Sequence, residues 1–564
     1  MQSQRNMILA IVLSGLILFG WSALADRFFP TANPPVAKVE NAKVQPLPTP
    51  DARPTPVLRE AGAMLTSTPR VVFDNGRVKG SINLVGARID DLVLTDHRQT
   101  IDKKSPPVRL LSPAGAKGAY FAAFGWTGDN MTLPSSATQW SADATQLQPG
   151  RPITLSWTSP QNLQFRIKLA LDSQYLFTVE QSVTNAGGGP VRLRPFGLVS
   201  RDGKSPDADS WTAHVGPIGV FNGKAHYDVN WKELDEAGAA GKRFQTPGGW
   251  LGFGDKYWLT ALAPAGTAAI DAGFRGAGTL YQADFAGQLL DVAPGASATA
   301  TTRFFAGAKE VKVLDGYEAQ LGIPLLGKAI DWGWYEIIEK PIFYFLDWLF
   351  HLVGNFGVAI ILLTLTVRLL LFPIAQRQFQ SMAAMRVVQP KMKALQERYK
   401  DDKPRLQQEI MALYKTEKVN PLAGCLPILL QIPIFYALYK VLILSTEMRH
   451  QPFVGWVRDL SAPDPLTPVN LFGLLDFTPP HFLAIGVLPI LLGVTQYLQF
   501  KLNPQPMDET QAQIFKLMPW VFMFIMAAYP TGLIVYWVTT NLLTIAQQYW
   551  LYSKYPGLKA PLKT

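Results

Sequence analysis

The chain has 564 residues, too many for one core, and length alone suggests about three or four domain-sized units. Hydrophobic residues make up 48%, charged residues only 17%, and mean hydropathy is +0.10, which excludes a disordered chain and argues against a wholly soluble one, since soluble domains carry roughly 25% charge. The single cysteine, Cys425, excludes an intrachain disulfide and any cysteine-based zinc site, and the net charge of +10 has meaning only once it is located.

Residues 7–25 form a largely apolar, uncharged run preceded by Arg5. It is nearly long enough to span a bilayer. Ala23-Leu24-Ala25 also resembles a signal-peptide cleavage site, so an uncleaved anchor and a cleaved leader both remain open on composition. Either way the following residues are expected to be exported. Residues 30–56 are rich in Pro, Ala and Val and read as an extended spacer. From residue 57 to about 330 the texture is β-rich. Val71-Val72-Phe73 is a short β-prone run. Phe177, Val179 and Val183 alternate with Thr178, Glu180, Ser182 and Thr184. Asp74-Asn75-Gly76, residues 185–190 and Phe221-Asn222-Gly223 are turn signals. A large β-sandwich is expected. Residues 57–340 carry 28 Lys/Arg and 27 Asp/Glu, so this block has no basic excess and is not expected to bind DNA.

Residues 331–350 are dense in Trp332, Trp334, Tyr335, Phe343, Tyr344, Phe345 and Trp348, broken by charges, as suits a helix lying in a membrane interface. Apolar runs follow at 356–372, 425–444, 482–500, 517–529 and 533–550, with no Asp or Glu and only Arg368 and Lys440 charged. Between the first two, residues 375–420 carry 10 Lys/Arg and 5 Asp/Glu and are assigned to the cytoplasmic side. Residues 380–417 within them read as two amphipathic helices broken at Asp401–Pro404, an antiparallel hairpin in which Pro390 should kink or restart the first helix. Its role is either a solvated scaffold or a docking surface. The organisation expected is an anchor at 1–29, a linker at 30–56, a β-sandwich domain at 57–330, an interfacial helix at 331–350 and a five-helix core at 351–564 bearing the hairpin at 380–417. Both termini are placed in the cytoplasm and the β domain outside it. The run at 517–529 is short enough to favour local bilayer thinning.

Arg368 lies about 18 Å along its run, counted from Phe356. A buried arginine costs several kcal/mol unless paired or hydrated, about 3 on insertion scales. Either its side chain snorkels to the inner interface or it faces a water-filled recess. Thr364, Thr366, Gln431, Thr495, Gln496, Thr539, Thr540 and Asn541, spread over four runs, favour the recess, where an unpaired cation would attract a passing carboxylate. No nucleotide-binding, nucleophile-elbow or zinc-protease motif is present, and the six histidines show no metal-ligand spacing. No enzyme, cofactor or metal is expected.

These residues carry a resemblance. The stretch ALQERYKDDKPRLQQEIMALYKTEKVNPLAGCLPILLQIPIF at 394–435, Thr364–Arg368 followed by Pro373 and Gln380-Ser381-Met382, Pro530-Thr531-Gly532-Leu533 and residues 541–548 resemble the YidC/Oxa/Alb membrane protein insertases, in the Gram-negative form with a large periplasmic domain. Ser3-Gln4-Arg5-Asn6 is similar to that family's uncleaved first span, which favours the anchor. The resemblance implies a polytopic α-helical membrane protein of the inner membrane with a large periplasmic all-β, β-supersandwich-like domain. It implies a lateral hydrophilic groove that receives hydrophobic segments of nascent inner-membrane proteins, alone or with the Sec translocon and its accessory subunits. Membrane lipids, the ribosome and the signal recognition particle pathway come with it as partners. The family's arginine maps onto Arg368, its groove threonine onto Thr364 and its third-span contact onto Phe435. Its adjacent tyrosines map onto Tyr536 and Trp537, the tryptophan departing from the pattern. Gln431, Gln496 and Thr540 complete the candidate groove. The 14 residues from Leu551 carry only three Lys, unlike the long basic tails with which some relatives bind ribosomes. Two other classes compete. A small-solute transporter lacks coupling acids and evident repeats, and an anchored sugar-binding or sugar-modifying module rests on fold analogy.

Overall fold

A computed structural model of the chain describes residues 60–207, 213–400, 402–417, 426–475, 477, 484–502 and 509–554. The expected anchor, the Pro-rich linker, Cys425 and residues 555–564 lie outside them.

Residues 70–308 form two facing sheets of eleven and nine strands, nearly all antiparallel. The period-2 pattern sets which side chains enter the space between them. Strand Leu176–Asn185 turns Phe177, Val179, Gln181 and Val183 inward. Phe177 meets Phe73 of the other sheet edge-on at 5.2 Å, and Phe124 meets Phe304 at 6.1 Å. Two hydrogen bonds between buried polar groups bridge the gap. Gln181 Nε2 donates to the Gly125 carbonyl at 2.7 Å, and the Tyr120 and Thr260 hydroxyls lie 2.6 Å apart. Such pairing offsets the cost of burying them. The Asn222-Gly223 signal is a tight hairpin turn, with φ of +51° and +72°, joining strands Gly216–Phe221 and Lys224–His226.

Helices accompany the two sheets of this domain. Helix α1, Val311–Leu321, packs Val311, Leu314 and Tyr317 inward at helical spacing, and Trp231–Ala237 forms a shorter helix capped by Asn230. The apolar spacing of α1 is three residues, a period that β-rich surroundings masked.

Helix α2 spans Glu336–Val353, three to five residues later than the expected 331–350, because Gly333–Tyr335 form a separate 3-10 turn. It buries Phe343, Leu346 and Leu349 and exposes Ile337, Tyr344, Trp348 and Leu352. Helices α3 (Phe356–Leu370), α4 (Phe372–Arg398), α5 (Lys403–Thr416), α6 (Leu426–Leu444), α7 (Val487–Leu502), α8 (Glu509–Met526) and α9 (Thr531–Lys554) follow. Pro390 does not restart the hairpin: α4 continues through it. Asp402 caps α5, accepting from the Arg405 N–H at 3.1 Å, with Pro404 in the first turn. Val388 and Met392 of α4 pack with Leu413 and Tyr414 of α5, and Lys391 pairs with Glu417 at 2.6 Å. Among the described residues no helix is long and apolar enough to cross a membrane. The physical reasons are visible in α3 and α7, whose 15 and 16 residues reach only about 22 and 24 Å against a core of about 30 Å. Thr539, Thr540, Asn541, Thr544, Gln547 and Gln548 interrupt α9.

The β domain is fastened to the helices by the turn after α6. The Arg449 guanidinium donates to the Arg98 and Gln99 carbonyls at 2.8 and 3.2 Å and lies over the Tyr257 and Trp258 rings. The Thr446 hydroxyl reaches the Tyr257 and Lys309 carbonyls. From α2, Lys340 and Tyr344 bind Asp315 of α1 at 3.1 and 2.7 Å. Lys440 of α6 donates to the Asp331 carbonyl at 2.6 Å.

Glu447 sits within this junction and accepts the first free N–H of α1, that of Val311, at 2.9 Å. Burial pushes its carboxyl up to about 7, and Glu310 and Asp347 push the same way. An unfolded glutamate titrates near about 4.3. The folded state therefore binds a proton that the unfolded state releases between these values. Its stability is greatest, from this group, below about 4.3, falls as pH rises toward about 7, and is flat beyond. Glu447→Gln should raise Tm at pH 8, by a stabilisation on the order of 2 kcal/mol, and change little at acidic pH. An equal shift at both pH values would show that ionisation is not the cause.

Candidate functional site

The polar side chains singled out in the apolar runs lie where α3, α6, α7 and α9 pack together. Asn355 caps α3 by accepting the Val358 N–H at 3.1 Å, and Phe350 stacks on Phe356 at 3.8 Å, which fixes where α3 leaves α2. On α9, Tyr536 and Thr540 are four residues apart and share one face.

Arg368, half-buried near the end of α3, crosses to α9 and donates from Nη2 to the Thr540 carbonyl at 3.4 Å. That carbonyl also accepts the Thr544 hydroxyl at 2.7 Å. Among the described residues no carboxylate forms an ion pair with Arg368. One turn away, Gln431 of α6 donates its Nε2 to the buried Tyr536 hydroxyl. Asn541 of α9 donates to the Thr495 hydroxyl of α7 at 3.1 Å. The Gln496 side-chain carbonyl is buried without a hydrogen-bond partner among the described residues.

Beside this polar set lies an aromatic one. Trp537 meets Phe435 of α6 edge-on at 4.5 Å and Phe522 of α8 at 4.6 Å. Phe522 was not among the sequence candidates; only the packing of α8 on α9 brings it there.

Thus Arg368, Gln431, Tyr536 and Thr540 are joined across three helices, with Phe435 and Trp537 adjacent. Thr364 stands apart. It is buried, and its hydroxyl donates back to the Ile360 carbonyl of its own helix at 2.6 Å. Thr366 and Thr539 do the same to Leu362 and Val535. Hydroxyls turned inward in this way satisfy themselves in apolar surroundings and present methyl groups outward. Among the described residues no group of His, Cys, Asp or Glu could hold a metal ion. The arrangement offers hydrogen-bond donors, one positive charge and aromatic faces.

A family model described as "60Kd inner membrane protein" matches residues 348–558, and one described as "YidC periplasmic domain" matches residues 70–345. A membrane protein insertase YidC of Zymomonas mobilis is 50% identical over 550 residues, 97% of this chain and 95% of that protein. The protein of the same name from Granulibacter bethesdensis is 45% identical over 574 residues, 99% of each. A solved structure of an active YidC insertase with its first transmembrane domain resolved is 18% identical, covers 96% of this chain and 99% of that one, and has a TM-score of 0.38.

Proposed function

The chain belongs to the YidC membrane protein insertase family, and from that premise we propose that it passes nascent inner-membrane proteins into the bilayer through a hydrophilic lateral groove built on Arg368, Gln431, Tyr536 and Thr540. It is an inner-membrane protein with a periplasmic domain, and the family is not one of catalysts in the usual sense. The observation that carries the groove is the joining of one cation and several hydrogen-bond donors across α3, α6 and α9.

A belt of bare apolar side chains supports the membrane reading. Leu369, Leu370, Ile432, Leu517, Phe524, Ile525 and Leu542 are each more than half exposed. A surface of this kind in water would aggregate. In this reading α3, α6, α7, α8 and α9 cross the bilayer, and the short ones do so where it is thinned. The groove lowers the cost of moving a substrate's polar flank, and partition of the apolar segment into lipid supplies the drive. No nucleotide or cofactor is needed. The core extends over 351–564, with Phe435, Trp537 and Gln496 lining the groove and Thr364 supporting it. The chain also serves as a folding chaperone and works with the Sec translocon, while the hairpin receives partners of the ribosome and signal recognition particle pathway.

Topology gives a direct test. In a Cys425→Ser background, a cysteine at exposed Lys224 of the β domain should label from the periplasm, and one at exposed Gln407 of α5 should label only from the cytoplasm. Periplasmic labelling at Gln407 would overturn the orientation and the insertase mechanism built on it.

A further inference from the structure

The loop between α6 and α7 ends in a bare apolar tip. Val469, Leu471, Phe472, Leu474, Leu475 and Phe477 are all exposed, Leu474 at 83%. No charged residue lies between Asp464 and Asp476.

The backbone holds these side chains out at a cost. Leu471 and Phe472 both adopt left-handed conformations, φ +49° and +59°. Bulky residues rarely do so, and when they do the surroundings must enforce it.

The tip is also closed on itself. The Phe472 N–H donates to the Thr467 carbonyl at 3.0 Å, Leu475 N–H to Asn470 at 3.1 Å, Leu474 N–H to Leu471 at 3.2 Å and Phe477 N–H to Leu475 at 2.9 Å. The Thr467 hydroxyl accepts the Val469 N–H at 3.2 Å. A chain in water has no need to satisfy its own amides; one entering lipid must.

The base is bolted down. Buried Asp464 accepts the Trp456 indole N–H at 2.9 Å, the Leu466 N–H at 3.0 Å and the Leu488 N–H of α7 at 2.8 Å. Gly486 packs so closely that a Cβ there would lie 2.5 Å from Asp464. The Val487 N–H donates to Leu466, and the Thr531 and Gly532 N–H groups of α9 donate to Ala462 and Leu460. The tip therefore moves with the ends of α7 and α9.

We propose that the tip, residues 468–475 with Phe477, is a rigid anchor inserted into the outer leaflet of the membrane, at the boundary of headgroups and acyl chains. The proposal rests on the membrane reading above. Lipid is favoured over a protein partner because the large exposed side chains of the tip are aliphatic or Phe, without the Tyr, Trp or Arg of protein-docking patches. Its base is fastened to the start of α7, a helix that itself exposes Leu491, Val494 and Leu498. Because α7 reaches only about 24 Å, a wedge of side chains buried ~5–10 Å beside it would meet a leaflet already drawn thin.

The test uses the full chain with Cys425→Ser and an environment-sensitive fluorophore on Phe472→Cys or Leu474→Cys, reconstituted in phosphatidylethanolamine–phosphatidylglycerol vesicles. Labels on Phe524→Cys of α8 and Lys224→Cys of the β domain serve as references, and lipids spin-labelled near the headgroup or near the chain end serve as quenchers. The tip labels should be blue-shifted and quenched more by the shallow lipid, the Phe524 label more by the deep one, and the Lys224 label by neither. A water-exposed tip beside a deeply quenched Phe524 label would overturn the anchor and leave the membrane reading standing. Water exposure at both would overturn the membrane reading itself. A tip shielded only in native membranes, and not in pure lipid, would assign it to a protein partner and overturn the proposal.

Discussion

Replacing Arg368 by alanine should slow insertion of a substrate with an acidic translocated flank by roughly tenfold or more, and should slow a matched neutral substrate far less. The estimate comes from a cation and a carboxylate about 8 Å apart at an effective dielectric near 20, worth about 2 kcal/mol. Among the described residues the guanidinium has one long hydrogen bond, to a backbone carbonyl, and its fork holds no side chain in place. In the proposed groove, charge rather than geometry is what would count. Arg368→Lys should keep most activity, because a compact ammonium still attracts carboxylates. Arg368→Glu should be worst for acidic flanks. Insertion of both substrates into vesicles by each variant is the assay, and equal rates for the alanine variant would show that the side chain only snorkels.

Deleting residues 380–417 and closing the gap with a short Gly–Ser linker should reduce insertion by roughly tenfold, the worth of one lost interaction of about 1.4 kcal/mol, while the protein still accumulates. Accumulation is expected because Val388, Met392, Leu413 and Tyr414 form a small cluster of their own, separate from the main core. Contacts made through the basic excess of this segment should weaken as salt rises. Normal insertion by the deletion variant would reduce the hairpin to scaffold.

The parts of the fold that were legible depended on local periods. Alternation marked Phe177, Val179 and Val183 as inward, and Asn222-Gly223 announced its hairpin, because both are decided within a few residues. Helix α1 was missed because its three-residue spacing is short and lies among strands. At Pro390 the helix does not restart, since a proline can sit within a continuing helix when neighbouring turns absorb the lost hydrogen bond. In the site, Arg368, Gln431 and Thr540 stand out as polar groups in apolar runs, whereas Tyr536 is a candidate only through the family resemblance. Thr364 stood out by the same rule, yet its hydroxyl is spent on its own helix. Phe522 beside Trp537, and Glu447 capping α1 from 136 residues away, depend on tertiary packing that no window of sequence contains.

The proposed groove requires Arg368 to face water within the apolar helices. In a Cys425→Ser background, Arg368→Cys should react with a small charged thiol reagent added from the cytoplasmic side, and should be protected when a substrate is stalled in the groove. Leu369→Cys, whose parent side chain is 63% exposed on the bare apolar surface, should stay inert in the same membranes. An inert cysteine at 368, or one no more reactive than that at 369, would contradict the hydrated groove.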